Sequence, residues 1–314
     1  LVLFLIAIAS GAVWLSLSQI LHVFGSNPTD LARLIVLDLR LPRAVLGILI
    51  GAALGLCGAV LQGLLRNPLA DPGLLGISSG AALGAAIAIY FGLTTKFAYA
   101  APALGLCGAV AATILTFVFG RGGTLSLILA GAAVSALAGA GLSLALNLAP
   151  NGTGAYEIMT WLMGSLTDVS WEQVKLAAPF IVVGMGILAT TARSLDALSL
   201  GEVQAESLGV DPDRLRLTIL VGVALCVGAA TSVAGAIGFV GLISPHLVRP
   251  FVGHEPSRTL IPSALCGAAL LLGADVCSRL LPFNGTEIKL GVFTAMVGAP
   301  FFFWLVMRVS RTAP

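Results

Sequence analysis

Charge is what this sequence has least of. Aspartate, glutamate, lysine and arginine make up only 10% of its 314 residues, where a soluble domain carries roughly 25%. With 58% hydrophobic residues, that scarcity excludes an ordinary soluble chain and indicates a polytopic membrane protein. Net charge is +2 and the basic residues are scattered, so a nucleic-acid footprint is lacking. Lysine occurs only as Lys96, Lys175 and Lys289, none in a Gly-x-x-x-x-Gly-Lys-Ser/Thr setting, so the chain does not bind and split ATP through a P-loop. His22, His246 and His254 are too separated for a soft-metal site. Cys57, Cys107, Cys226, Cys266 and Cys277 form no C-x-x-C pair and read as small helix-packing residues. No metal or cofactor is expected in this chain. Acidic residues fall in loops or at span ends; the deepest, Asp275, precedes Arg279 by four, which suits a local helical ion pair or a proton relay. No nucleophile has an identifiable base, so the chain is not expected to be an enzyme.

What is present is organised around Arg40 to Gly84: Arg-Leu-Pro-Arg, an apolar run, then Arg66-Asn-Pro-Leu-Ala-Asp-Pro-Gly73, then a second apolar run. Between Ala44 and Leu65 the one clearly polar side chain is Gln62, and about twenty helical residues cover a hydrocarbon core of about 30 Å. Gly51, Gly55 and Gly58 fall on one face and invite close approach of a neighbouring helix. Asn67-Pro68 and Asp71-Pro72-Gly73 mark the turn. The stretch therefore reads as a hairpin of two spanning helices, with Arg40 and Arg43 at one membrane face and Arg66 to Gly73 at the other.

Spans are expected near 1–24, 44–65, 74–95, 99–120, 124–148, 175–192, 215–236, 259–281 and 289–307, with a short tenth segment over 236–249 that returns partway through a protein-lined interior. The apolar start, from Leu1 to Ile20, reads as a first spanning helix lacking its natural N-terminus rather than a signal peptide. Turns are short, Pro282 to Gly285 among them; the longer connections are 25–43, 149–174 and 193–216. In the second, Tyr156 to Ser165 suits a short interfacial helix. Placing 193–216 in the cytoplasm puts more basic residues inside than outside, in agreement with the positive-inside rule.

The most polar part of the chain is 198–216. Residues 201–208 suit a short helix stopped by Gly209, with Pro212 beyond. Glu202 and Glu206 share a face that must meet water or a basic partner, whereas Leu200, Val203, Ser207 and Leu208 lie towards a face that can pack.

Arg40-Leu-Pro-Arg43, Arg66 to Gly73, Leu200-Gly-Glu to Leu208-Gly-Val, Gly238-Phe-Val-Gly-Leu-Ile-Ser-Pro-His246 and Gly291 to Trp304 together resemble the permease subunit of bacterial ATP-binding-cassette (ABC) importers for iron-siderophore, haem and cobalamin. The resemblance runs from about residue 30 onward. It implies an all-α, type II ABC importer fold of about ten transmembrane helices, forming one permease domain over 1–314. It further implies a homodimer in the bacterial inner membrane, in contact with lipid, with two ABC ATPase subunits that carry ATP and Mg, and a periplasmic substrate-binding protein. Arg40, Arg43 and Arg279 match the family's outward-facing arginines that dock the binding protein. Leu200, Gly201, Glu202, Val203, Glu206, Leu208 and Gly209 match its ATPase-coupling helices. Ser143 and Asn147 match its pathway-lining fifth span. The Asn67 to Gly80 run looks more like the haem and cobalamin branch, with haem favoured. An ion-coupled secondary transporter working without an ATPase is the alternative, against which the lack of mid-span carboxylates argues.

Overall fold

The computed structural model of the protein describes residues 1–11, 13–23, 31–149, 152–281 and 287–312. Among them every regular element is helical, since backbone polar groups in a bilayer must find partners without water. The helices are α1 (Val2–Ala9), α2 (Leu17–His22), α3 (Leu31–Leu34), α4 (Leu41–Leu64), α5 (Ile77–Tyr90), α6 (Leu93–Lys96), α7 (Ala100–Phe119) and α8 (Thr124–Asn147). They continue with α9 (Gly152–Leu162), α10 (Trp171–Thr190), α11 (Ala192–Ser199), α12 (Glu202–Ser207), α13 (Pro212–Ala234), α14 (Val240–Val252), α15 (Pro256–Leu280) and α16 (Leu290–Thr312).

Among the described residues seven helical stretches are long and apolar enough to span a membrane, Leu31–Leu64 and the helices α7, α8, α10, α13, α15 and α16; α5 is apolar but shorter. Two expectations need correction. The first span, expected over 1–24, is broken: α1 stops at Ala9 and covers about 12 Å at 1.5 Å per residue. Ser16 and Gln19 then form a reciprocal capping box that starts α2 afresh. The connection expected over 25–43 is helical from Leu31, because α3 and a π-helical stretch, Ile35–Arg40, lead directly into α4. Pro42 supplies the reason. Its ring would meet the carbonyl four residues back in an α-helix, and the wider turn, with the Leu41 amide bonded to Val36 O, makes room. Residues 25–30 of that connection, and the turn expected at Pro282 to Gly285, lie outside the described residues.

Small residues set the packing. α4 and α15 run antiparallel in such close contact that a Cβ on Gly51 would overlap the Gly267 carbonyl, and one on Gly55 the Ser263 carbonyl. The same device joins α5 to α7 through Gly80 and Gly108. After α13 the chain turns back unwound through 235–239, and α14 starts beside the middle of α4, with the Gly241 backbone where a Cβ on Gly58 would stand. The returning segment read at 236–249 is thus a half-span starting within the bundle.

These helices give the bundle two ends. One gathers Arg40, Arg43, Arg279, the end of α1 and the start of α10. The other gathers the 66–75 turn, α11, α12 and the starts of α13 and α15.

Candidate functional sites at the two ends of the bundle

At the first end the structure brings Arg40, Arg43 and Arg279 together, and it does not leave them open. Arg40 is 8% exposed and donates to the carbonyls of Ile8 at 2.8 Å, Ala9 at 2.9 Å and Val13. Arg279 donates to Ala7 O and Ser10 O, both at 3.0 Å. The last carbonyls of a helix have no partner within it and carry the negative end of its dipole. Two guanidinium forks therefore cap α1. Beside Arg40 even a methyl group on Gly11 would lie 2.7 Å from its Nη2.

Arg43 joins the remaining charges. Its Nε meets Asp275 Oδ1 and its Nη2 meets Glu287 Oε2, each at 2.9 Å, while Asp275 Oδ2 lies 2.8 Å from Arg279 Nη2. Asp275 is fully buried, so the helical pair read at 275 and 279 is one arm of a larger network. Neither Glu287 nor Arg43 is near Asp275 in sequence, and no local pattern reveals that closure. Above this cluster Trp171 Nε1 donates to Leu37 O at 2.8 Å and ties α10 to the π-helical stretch. Nearby, the Glu172 carboxylate pushes the Tyr99 hydroxyl above its ordinary range.

At the second end, α12 sits between two glycines in the left-handed half of backbone space, Gly201 at φ +119° and Gly209 at φ +85°. Ala205 is fully buried under it. Arg216 struts it to α13: its Nη2 lies 2.8 Å from Glu202 Oε1 and its Nη1 2.9 Å from Asp213 Oδ1. Glu202 therefore has a basic partner inside the chain, while Glu206 is exposed. The face expected to pack does not pack within the chain: Leu200, Val203 and Leu208 are 64%, 71% and 64% exposed. Three large apolar side chains, Val203 on this six-residue helix and Leu200 and Leu208 flanking it, form a surface that a partner can cover.

Gln62 was legible as the lone polar residue of its span, but its role was not. Its amide nitrogen donates to Ala70 O and Leu242 O at 3.3 Å, and its Oε1 accepts from Arg249 Nη2 at 2.6 Å. One side chain thus binds α4, the 66–75 turn and α14. In that turn Asp71 accepts from the Gly73 amide at 2.9 Å. Burial pushes the Asp71 carboxyl above the ordinary carboxylate range, against the pull of that amide. Arg66 closes α4 at φ +48°, an uncommon conformation for a residue with a side chain.

Along α8 an exposed stripe runs through Leu129, Leu137 and Leu144 and includes Ser143 and Asn147 near its C-terminal end. Ser143 Oγ donates to Gly139 O at 2.9 Å within the helix. α9 lies across the same end, held on α5 by buried Ile158 while Tyr156 is 70% exposed.

A bundle of membrane-length helices with an internal half-span, and with candidate partner surfaces at its two ends, fits a membrane permease. The chain belongs to the FecCD transport family, whose profile matches residues 1–308. It is 43% identical to the cobalamin import system permease protein BtuC of Halobacterium salinarum over 88% of this chain and 74% of that protein. It is 37% identical to the hemin transport system permease protein HmuU of Yersinia pestis, over 91% of this chain and 87% of the other. With the Fe(3+) dicitrate permease protein FecC of Escherichia coli identity is 40%, over 90% and 86%. The fold matches a solved metal-chelate type ABC transporter in an inward-facing conformation with a TM-score of 0.88 and 32% identity, over 98% of this chain and 96% of that one.

Proposed function

We propose that this chain is the permease subunit of a binding-protein-dependent ABC importer that carries a metal chelate across the bacterial inner membrane into the cytoplasm. The observation that carries the reading is α12: Leu200, Val203 and Leu208 are presented to the outside while Ala205 and the Arg216–Glu202 pair hold the helix to the bundle. Such a helix passes force from a separate ATPase subunit into α11 and α13. ATP-driven closure of two such subunits on a homodimer of this chain would then open a central path to one side at a time. Residues 1–314 act as one domain in this scheme. Ser143 and Asn147 contribute to the path wall, in which few polar groups suit a large, partly apolar cargo that must be passed on.

The arginine end receives the periplasmic binding protein. Carboxylates of that partner must compete there with Asp275, Glu287 and the α1 carbonyls for Arg40, Arg43 and Arg279. Docking and the anchoring of α1 are therefore linked. The Asn67 to Gly80 run favours a tetrapyrrole chelate. That run alone favours haem, whereas the relative named for cobalamin, at 43% identity against 37% for the hemin permease, supports cobalamin at least as well. The proposed cargo is the tetrapyrrole class, with ferric siderophores behind it. Against the ion-coupled alternative stands the state of Asp275: it is the one fully buried carboxylate among the described residues, and it is paired to two arginines.

The test is uptake into proteoliposomes holding this chain, its ATPase and its binding protein, with haem, cobalamin and a ferric siderophore offered in turn. ATP-dependent uptake of a tetrapyrrole requiring all three proteins supports the reading. Uptake driven by an ion gradient without ATP overturns it.

A further inference from the structure

A cavity of about 360 Å³ opens at the α12 end of the bundle. Its polar lining comes from Gln62, Arg66, Asn67, Ser199, Arg249 and His254, with Thr259 at the start of α15. Three of these are basic and none is acidic. The acidic residues on the surrounding elements are engaged elsewhere: Asp196 accepts from the Ser257 amide at 2.9 Å, Glu255 pairs with Arg258, and Asp71 accepts from Gly73. Arg249 is aimed by its bond to Gln62 Oε1 at 2.6 Å. Arg66 makes no ion pair or side-chain hydrogen bond among the described residues, although its backbone is held at φ +48°. The positive end of the α15 dipole adds to the same field.

From this geometry we infer a binding site for a phosphate group. Two guanidinium forks and an imidazole converge on one concavity, and planar bidentate donors suit phosphate oxygens. The amide of Asn67 and the hydroxyls of Ser199 and Thr259 supply uncharged donors. The volume admits one phosphate with the glycerol portion of a lipid head, or a free phosphate with water. Position gives the site a consequence. Ser199 directly precedes Leu200 and Gly201, the root of α12, so an occupant bridges α4, α14 and the coupling segment. On the orientation proposed above, the site lies at the cytoplasmic headgroup level, where anionic lipids concentrate.

The experiment uses the whole chain in nanodiscs of phosphatidylcholine, titrated with inorganic phosphate at fixed ionic strength while thermal unfolding is followed. A saturable rise in Tm is expected. The double variant Arg66→Gln/His254→Gln, altering two exposed side chains, should weaken the apparent affinity at least tenfold with helix content unchanged. Nanodiscs containing phosphatidylglycerol separate the two sources. If a lipid head is the occupant, native mass spectrometry finds more phosphatidylglycerol retained by the parent chain than by the variant, and added phosphate shifts Tm no further. If free phosphate is, the shift persists in both lipids. No saturable phosphate effect in phosphatidylcholine, together with equal phosphatidylglycerol retention by both chains, overturns the site.

Discussion

Arg43 Nε stands 2.9 Å from Asp275 Oδ1, joining α4 to α15 across 232 positions of sequence. Asp275 also holds Arg279, so one buried carboxylate bridges two guanidinium groups at the end of the bundle where α1 is anchored, with Glu287 as the second anion on Arg43.

Removing that carboxylate should be costly. Asp275→Ala leaves two cations with less compensation at a buried position, and breaking a buried pair this way costs about 3–5 kcal/mol. Thermal unfolding of the detergent-solubilised protein should show the loss. The double variant Arg43→Met/Asp275→Leu, which removes one charge of each sign, should recover part of it. A double variant no more stable than Asp275→Ala would show that the pairing is not what the site depends on.

Charge on the open face of α12 should separate folding from coupling. Val203→Asp and Leu208→Asp alter side chains that touch solvent, so stability should stay within about 0.5 kcal/mol. Binding-protein-stimulated ATPase activity in the reconstituted complex should fall at least tenfold. Unaltered stimulation would remove α12 from the coupling interface.

Gln62→Leu should loosen the second end. It deletes the partner of Arg249 and leaves the Ala70 and Leu242 carbonyls without their donor. An unsatisfied buried polar group costs about 1–3 kcal/mol. Hydrogen exchange should rise first in the 66–75 turn and the end of α14; a uniform rise across the bundle would count against this local role.

Protonation of Asp71 gives a pH dependence of known sign. Because burial raises its carboxyl pKa in the folded state, the folded chain binds the proton more tightly than the unfolded one. The associated stability is full below the unfolded value of about 3.9 and is lost as pH rises through the folded value. Asp71→Asn, which keeps an oxygen for the Gly73 amide, should flatten Tm against pH across that window and raise Tm at pH 7 relative to the parent. A variant with the parent's slope would show that Asp71 does not set it.

Close packing offers a fifth test. A side chain on Gly55 would enter the Ser263 carbonyl, whereas Gly139 and Gly273 face open space. Gly55→Val should abolish a folded yield, since the backbone itself must move. Gly139→Ala and Gly273→Ala should leave it unchanged.

By itself the sequence determined the class and the order of the spans. Apolar runs of about twenty residues report membrane crossing because backbone groups in hydrocarbon must bond within the segment, and Gly51, Gly55 and Gly58 announced a close helix contact because only a missing Cβ permits one. The short helix before Gly209 was legible through its stop signal, and Asp275–Arg279 through its four-residue spacing. Tertiary structure decided what those residues touch. Ser16 and Pro42 moved the breaks near the start of the chain, since a capping box and a π turn act against the apolar pattern. The burial of Arg40 and Arg279 under α1, the closure of Arg43 and Glu287 on the Asp275 network, and the joining of Gln62 to Arg249 depend on helices distant in sequence. Which charge meets which is set by the antiparallel packing of α4 on α15, where long-range proximity is produced by the fold and has no local signature in the chain.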